Sequence, residues 1–320
     1  MTTLIADIGG TNARFALWDA GWEAGADGQA HTPPVRVQLD DVAGIAEAIE
    51  GYLAGRPRPR AAVLAVAGPV EDNAVRLTNR GWLVDGAALA ARLGIPRVTV
   101  VNDFAAISWS LPRLAGADLY RLGGTAPVPG APLAVLGPGT GLGVGAFLPP
   151  DRVLVTEGGH ASVAAHDARE AAVVEWLRAR HGHVSAERLV SGQGIENIHA
   201  ALTALDGRPD EAPLAAADIT GRALAGSDPR CAEALAMFCA QLGSLAGDLA
   251  LLYGARGGVY VAGGIAPRFP EYLAASAFRA RFEAKGRFAA WLAPVPTWLV
   301  LRPDAAMVGL ETLASMGGNR

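Results

Sequence analysis

Two cysteines, Cys231 and Cys239, are all the thiol chemistry that 320 residues contain. Eight positions apart in one stretch with helical spacing, they are too distant for a disulfide and too few for structural zinc, so a cytosolic location is expected. Excess charge of one sign is also missing. Lys+Arg 27 against Asp+Glu 31 leaves a net −4 with no long basic block, which removes the electrostatic footprint of a nucleic-acid binder or of a partner for an anionic membrane. Long uninterrupted apolar runs are scarce as well: the most apolar stretch, residues 232–253, is interrupted by Glu233, Gln241, Ser244 and Asp248 and closes at Gly254, which predicts a buried core helix rather than a membrane span. The opening Met-Thr-Thr-Leu-Ile-Ala-Asp lacks a basic leader. Gly-Lys-Ser/Thr occurs nowhere, so there is no P-loop, and no dinucleotide fingerprint lies between a strand and a helix.

What remains is an apolar, glycine-rich chain. With 51% hydrophobic residues in 320, it is long enough for two cored domains, between which a ligand cleft is the default site. The stretch Ile5 to Trp18 organises it. Leu4, Ile5 and Ile8 predict a buried strand, Gly9 and Gly10 a tight turn, and Phe15 to Trp18 a second strand. Bare amides and the Thr11 hydroxyl at such a turn can wrap phosphate oxygens. Asp7, just before the turn, would repel phosphate unless a cation such as magnesium stood between them. A plain tight hairpin is the competing reading.

Farther along, an exposed connection is expected over 20–34, a strand over 35–39, a helix over 42–53 and a strand over 61–67. Leu77-Thr78-Asn79 then leads through Trp82 to a helix over 85–93. The β-branched run Val98 to Val101 predicts a buried parallel strand running into Asn102-Asp103-Phe104, at the end of an α/β sheet where sites form. Asp103 suits either of two roles: N-cap of a helix from Phe104, or acceptor of a proton from a substrate hydroxyl.

From Leu133 the early pattern recurs: strand, Gly137-Pro138-Gly139-Thr140-Gly141-Leu142-Gly143, strand. Two copies of one phosphate-gripping unit facing a cleft are expected, with coincidence among 40 glycines as the alternative. A strand over 153–156 leads into Glu157-Gly158-Gly159-His160, which can offer an acceptor and an adaptable ring to polyol hydroxyls or be a surface turn. A helix is expected over 169–181, and another from His183 with Ser185 as N-cap and Glu187 at its positive end. Residues 206–217 look like a loop, with Asp218 opening the next helix. After the core helix, Gly263-Gly264 follows a strand; the gap admits a flat ring such as adenine, or simply close packing. A strand over 297–301 and a helix over 304–316 end the chain.

Taken in order, Asp-Ile-Gly-Gly-Thr-Asn-Ala-Arg, Leu-Thr-Asn, Val-Asn-Asp-Phe, Gly-Pro-Gly-Thr-Gly-Leu-Gly, Glu-Gly-Gly-His, His-Val-Ser-Ala-Glu-Arg and Ala-Gly-Gly-Ile resemble the bacterial glucokinase family of the actin/hexokinase-like ATPase superfamily. The resemblance runs from Asp7 to about Arg287. It implies an actin/hexokinase-like α/β fold of two α/β domains with an interdomain cleft: a small one from residues 1–108 plus 303–320 and a large one from 109–302. It also implies a homodimer. By the same resemblance Asn79, Asn102, Asp103, Glu157, His160 and Glu187 bind the sugar, with Asp103 as base. Ala6, Asp7, Ile8, Gly9, Gly10 and Thr11, with Gly139, Thr140 and Gly141, hold the ATP phosphates; Asp7 meets Mg²⁺ through water; and Gly263 and Gly264 belong to the adenosine pocket.

Three departures stand out. Ser162-Val163-Ala164-Ala165 replaces the family's Asp-Phe-Ala-Pro-like continuation after His160, Ala6 stands where Gly is usual, and the cysteine-rich zinc motif of the related repressor and sugar kinase group is absent. The expected reaction is phosphoryl transfer from Mg-ATP to the C6 hydroxyl of glucose, feeding glycolysis, with cleft closure suppressing ATP hydrolysis. A kinase for another hexose or an amino sugar is one rival. A non-catalytic sugar-sensing regulator is the other, although a DNA-binding one needs a helix-turn-helix for which the early first strand leaves no room.

Overall fold

In a computed structural model, which describes residues 2–21, 31–77, 80–208 and 212–317, the first strand, β1 (Thr2–Ile8), has its apolar residues buried on both faces. It pairs antiparallel with β2 (Asn12–Asp19) through a glycine turn, and β2 pairs with β3 (Val35–Gln38). On its other side β1 runs parallel to β4 (Ala61–Val66). A two-stranded ribbon, β5 (Ala74–Arg76) with β6 (Leu83–Asp85), separates β4 from β7 (Arg97–Asn102), which pairs parallel with β4. The five-stranded order is β3-β2-β1-β4-β7.

Helices α1 (Ile45–Leu53) and α2 (Gly86–Leu93) close a core on one face with Leu4, Ile8, Phe15, Leu64 and Val100. Asp85 caps α2 by accepting the Ala88 N–H at 3.0 Å. Helix α3 (Asp103–Ser110) lies on the opposite face, where Ala106 joins Ile5, Ala16 and Val63.

The second sheet contains β8 (Leu119–Gly123), β9 (Leu133–Pro138), β10 (Leu142–Leu148), β11 (Arg152–Thr156), β12 (Gly258–Val261) and β13 (Thr297–Val300), in the order β11-β10-β9-β12-β13-β8. Its helices are α4 (Ala168–His181), α5 (Gly192–Leu205), α6 (Ala216–Leu224), α7 (Pro229–Tyr253), α8 (Pro270–Ala275), α9 (Phe278–Glu283) and α10 (Ala289–Leu292). The final helix, α11 (Ala305–Gly317), returns to the first sheet and packs Met307 and Leu310 beside Ala106.

Two compact units result: Met1–Leu114 with Val153–Val155 and Pro303–Arg320, and Ala115–Arg152 with Thr156–Arg302. The expected cut after residue 108 would fall inside α3; the division comes after Leu114, which keeps that helix whole. The two hairpins that repeat in sequence repeat in topology. The order β3-β2-β1-β4-β7 has its counterpart in β11-β10-β9-β12-β13, and in each the glycine hairpin is flanked by two parallel strands.

Helix α7 is long and apolar enough, by length and composition, to cross a membrane, yet 67% of its most apolar window is buried inside the protein. Cys231, Phe238, Cys239 and Leu242 on it are core residues, and both thiols are free. Polar interruptions along the helix serve the interior: Gln241 Nε2 donates to Glu170 Oε2 at 2.8 Å.

Several local expectations need correction. Residues Val98 to Val101 form a strand, but β7 is an edge strand with alternating exposure, because α2 covers only one side. Helix α1 starts at Ile45, after Leu39–Asp41 has formed a short 3-10 turn that buries Leu39. No helix follows Ser185: Ala186–Arg188 is a single 3-10 turn, and α5 begins at Gly192, capped by Ser191 Oγ accepting from the Gly194 N–H at 2.9 Å. Helix α6 opens at Ala216, with Asp218 in its first turn. Most of the expected connection 20–34, together with Thr78 and Asn79, lies outside the described residues.

Candidate active site

Three parallel strands of the first unit end level with one another. Ile8 is in register with Val66, and Val66 with Asn102, so the turn after β1 and the residues after β7 share one edge. Two strand spacings separate them, about 10 Å.

At the β1 end, Gly9 N–H closes the turn onto Asn12 O at 2.9 Å. Ala6 and Ile8 are buried in the core, and Asp7, Gly9, Gly10 and Thr11 line a cavity of about 260 Å³ together with Asn12, Arg14 and Arg36. Asp7 and Arg14 are cross-strand partners, with Arg14 Nη1 3.4 Å from Asp7 Oδ2. Burial pushes the Asp7 carboxyl above the ordinary carboxylate range, and the Arg14 guanidinium partly opposes this. The Asp7 side chain keeps 23% of its surface exposed, so a hard oxygen donor is presented at the mouth of the turn. That donor suits a hydrated Mg²⁺.

At the β7 end the division of labour differs from expectation. Asn102, not Asp103, caps α3: its Oδ1 accepts from Phe104 N–H at 2.8 Å and Ala105 N–H at 3.1 Å, while Nδ2 donates to Gly68 O at 3.0 Å. Asn102 keeps one amide hydrogen for another partner. Asp103 is the first residue of α3, half-buried, with Oδ1 accepting from Phe104 N–H at 2.9 Å. Asp103 therefore does not serve as the N-cap of α3.

The second unit builds its own constellation. Gly139 N–H donates to Gly141 O at 2.8 Å, making a tighter turn than the first, and Gly192 N–H at the start of α5 donates to Gly139 O at 2.9 Å. Thr140 sits exposed at the tip. Because β12 runs parallel to β9, its end meets the same turn: a Cβ on Gly263 would fall 2.4 Å from Pro138 O, whereas Gly264 has open space. Gly263 is therefore required by close packing, and Gly264 leaves bare backbone exposed.

Glu157 and His160, both exposed, flank a 3-10 turn closed by His160 N–H donating to Glu157 O at 3.0 Å. A Cβ on Gly159 would lie 2.1 Å from Leu142 O, so only glycine lets this turn lie on β10. The N–H of Leu142 donates to Glu187 Oε2 at 2.9 Å. Ala186 N–H donates to Ala161 O and Val163 N–H to Val184 O, which joins the two segments. The segments that carry Glu157, His160 and Glu187 thus meet at Leu142. Behind them, where this chain has Ser162–Ala165, a cavity of about 170 Å³ has Gln241, Arg281 and Lys285 on its walls.

Residues 4–316 match the family model described as Glucokinase. A glucokinase of Nitrobacter hamburgensis is 45% identical over 98% of this chain and 98% of its own length, and one of Paramagnetospirillum magneticum is 46% identical over 98% and 97%. The chain belongs to the glucokinase family. A glucokinase crystal structure from an Antarctic psychrotroph superposes with a TM-score of 0.88 at 36% identity, covering 98% of this chain and 99% of that one. The fold is accordingly actin/hexokinase-like, and the chain is an ATP-dependent sugar kinase.

For a glucokinase-family chain, the residues missed in the sequence are mainly arginines. Arg36 Nε donates to Asn12 Oδ1 at 2.9 Å, and Arg80 reaches the first turn from a distant segment. Isolated arginines carry no spacing signal, so composition alone gives no reason to single them out. One further donor set deserves description: His199, Asp228 and Cys231 place ligand atoms within 4.8 Å of one another. Asp228 already caps α7 through Arg230 and Cys231 N–H groups, and the three donors found among the described residues are one short of a closed structural zinc site.

Proposed function

We propose that this chain transfers the terminal phosphoryl of ATP to the C6 hydroxyl of D-glucose, with Asp103 as general base. The observation that best supports the assignment is the level ending of β1, β4 and β7, which sets the Asp7 turn and Asp103 on one edge. Asp103 accepts the hydroxyl proton as the oxygen attacks in line, and the Asn102 cap holds the first turn of α3, hence the Asp103 backbone, in place. The spare amide hydrogen of Asn102, with Asn79, Glu157, His160 and the second carboxylate oxygen of Glu187, receives sugar hydroxyls.

The Gly9–Thr11 turn faces the phosphates with its Gly10 and Thr11 amides and the Gly139–Gly141 turn with those of Thr140 and Gly141, Ala6 and Ile8 support the first turn from the core, and the Gly263-Gly264 segment, open at Gly264, accepts the adenosine. Mg²⁺, held near Asp7 through water, would supply neutralisation of phosphate charge when bound. The unit that holds the first sheet and α11 acts as the smaller lobe and the unit that holds the second sheet as the larger. We assign the enzyme to the cytoplasm, to the entry of glucose into glycolysis, and to a homodimeric state.

The test is product analysis: purified protein with ATP and, in turn, glucose, mannose, fructose or no sugar, following ADP release and glucose 6-phosphate. Glucose-dependent ADP release with stoichiometric glucose 6-phosphate is expected. ADP release that ignores glucose would overturn the proposal.

A further inference from the structure

Arg80 is an isolated arginine in sequence, yet its guanidinium fan meets three partners at the back of the first glycine turn. Nε donates to Gly10 O at 2.6 Å, Nη1 donates to Leu39 O at 3.2 Å, and Nη2 pairs with Asp40 Oδ1. Leu39 N–H in turn donates to Thr11 O at 2.9 Å. These contacts close a ring: Arg80 to Gly10, along the chain to Thr11, across to Leu39 and back to Arg80. The Arg80 side chain is 17% exposed, and its guanidinium carbon lies 5.2 Å from the centre of the Trp82 ring.

The ring bears directly on which backbone groups face a ligand. Gly9 and Gly10 have no side chains to hold their conformation. In a planar trans peptide the C=O and the following N–H point in opposite directions. Pinning Gly10 O therefore fixes the direction of the Thr11 N–H, and pinning Thr11 O fixes that of the Asn12 N–H. A turn that must present amides to phosphate oxygens without reorganising needs this restraint.

We propose that Arg80 is a positioning residue for nucleotide binding: by holding the Gly10 carbonyl it orients the amides of the first turn toward the ATP phosphates. The inference rests on the nucleotide reading of that turn. It also distinguishes Arg80 from Arg14 and Arg36, which line the cavity itself, whereas Arg80 acts from behind through the backbone.

The experiment is steady-state kinetics on the full chain for Arg80→Ala and Arg80→Lys, with Asp7→Asn as control for the nucleotide reading. Arg80→Ala is expected to raise the KM for ATP about tenfold or more, on the scale of losing a charge-assisted hydrogen bond, while the KM for sugar changes less than about twofold. Arg80→Lys, with one ammonium in place of the fan, should recover only part of the loss, and guanidinium ion at millimolar concentration should restore ATP affinity to Arg80→Ala. If Arg80→Ala keeps the wild-type KM for ATP while Asp7→Asn impairs ATP use, Arg80 has no such role. If Asp7→Asn leaves ATP use unchanged, the nucleotide reading itself fails. Should Arg80→Ala fold poorly, Arg80→Lys decides alone: an unchanged KM for ATP overturns the proposal.

Discussion

Glu187 and Leu142 are joined by a 2.9 Å hydrogen bond from the Leu142 backbone N–H to Glu187 Oε2, so a side chain from one segment is anchored on the first residue of β10. The same Leu142 lends its carbonyl oxygen to the close seat of Gly159, 2.1 Å from where a Cβ would stand. Glu187→Gln can keep the bond to Leu142 but turns the remaining acceptor into a donor. It is expected to melt within a few degrees of wild type and to raise the KM for glucose about tenfold. An unchanged KM in a well-folded variant would remove Glu187 from the sugar site.

Helices α3 and α11 meet backbone to backbone. A Cβ on Gly309 would lie 1.7 Å from Ala106 O, and neither backbone can yield as a side chain could. Gly309→Ala should therefore cost about 1–3 kcal/mol of stability. Because α3 begins at Asp103, kcat measured on the folded fraction should fall as well. Urea unfolding and active-fraction-corrected kinetics check both; wild-type stability would mean that the two helices separate without penalty.

Asp7 gives a pH-dependent prediction with a definite sign. Burial holds its carboxyl above the ordinary range despite Arg14, so in the fold the ionised form is the disfavoured one. The cost of ionisation is full above the raised pKa, shrinks as pH falls through it and the folded carboxyl protonates, and is gone only below the ordinary carboxylate pKa of the unfolded chain. Asp7→Asn should thus melt about 3 °C higher than wild type near neutral pH, with the gap closing toward about pH 4, while ATP-dependent turnover drops. Thermal melts across pH decide it: a variant less stable than wild type at neutral pH contradicts the sign.

The glycine hairpins of β1-β2 and β9-β10 were legible because a glycine turn between two apolar runs has few other solutions. The helix over 85–93 was legible too, although its expected first residue, Asp85, proves to be the cap of α2. What escaped depends on pairing and distance. The run Val98 to Val101 shows a strand but not that β7 lies at an edge, since edges are set by which strands find partners. Asn102 and Asp103 are adjacent capping residues, and which one turns inward is decided by Gly68 O on a neighbouring strand end. Ser185 and Ser191 are equally good caps by composition. Only the pairing of 161–163 with 184–186 determines that the first opens a mere turn. Arg80 and Gly309 act through carbonyls far away in sequence, which no local pattern can announce.

The two thiols should be inert in the native state. Burial pushes Cys239 up to about 12, and burial together with the neighbouring Asp228 pushes Cys231 up to about 11. Since the thiolate is the reactive form, an aromatic disulfide reagent at mildly alkaline pH should label neither until denaturant is added, with native rates at least ~10²-fold below those of the unfolded chain. Rapid labelling of the native enzyme would show that α7 opens.

The most direct test of the whole account compares wild type with Asp103→Asn, measuring glucose binding and the turnover of ATP side by side. The amide preserves shape and the bond from Phe104 N–H but cannot accept the hydroxyl proton. Glucose affinity within a few-fold of wild type with kcat lowered at least ~10²-fold is the predicted result; turnover near the wild-type rate would contradict it.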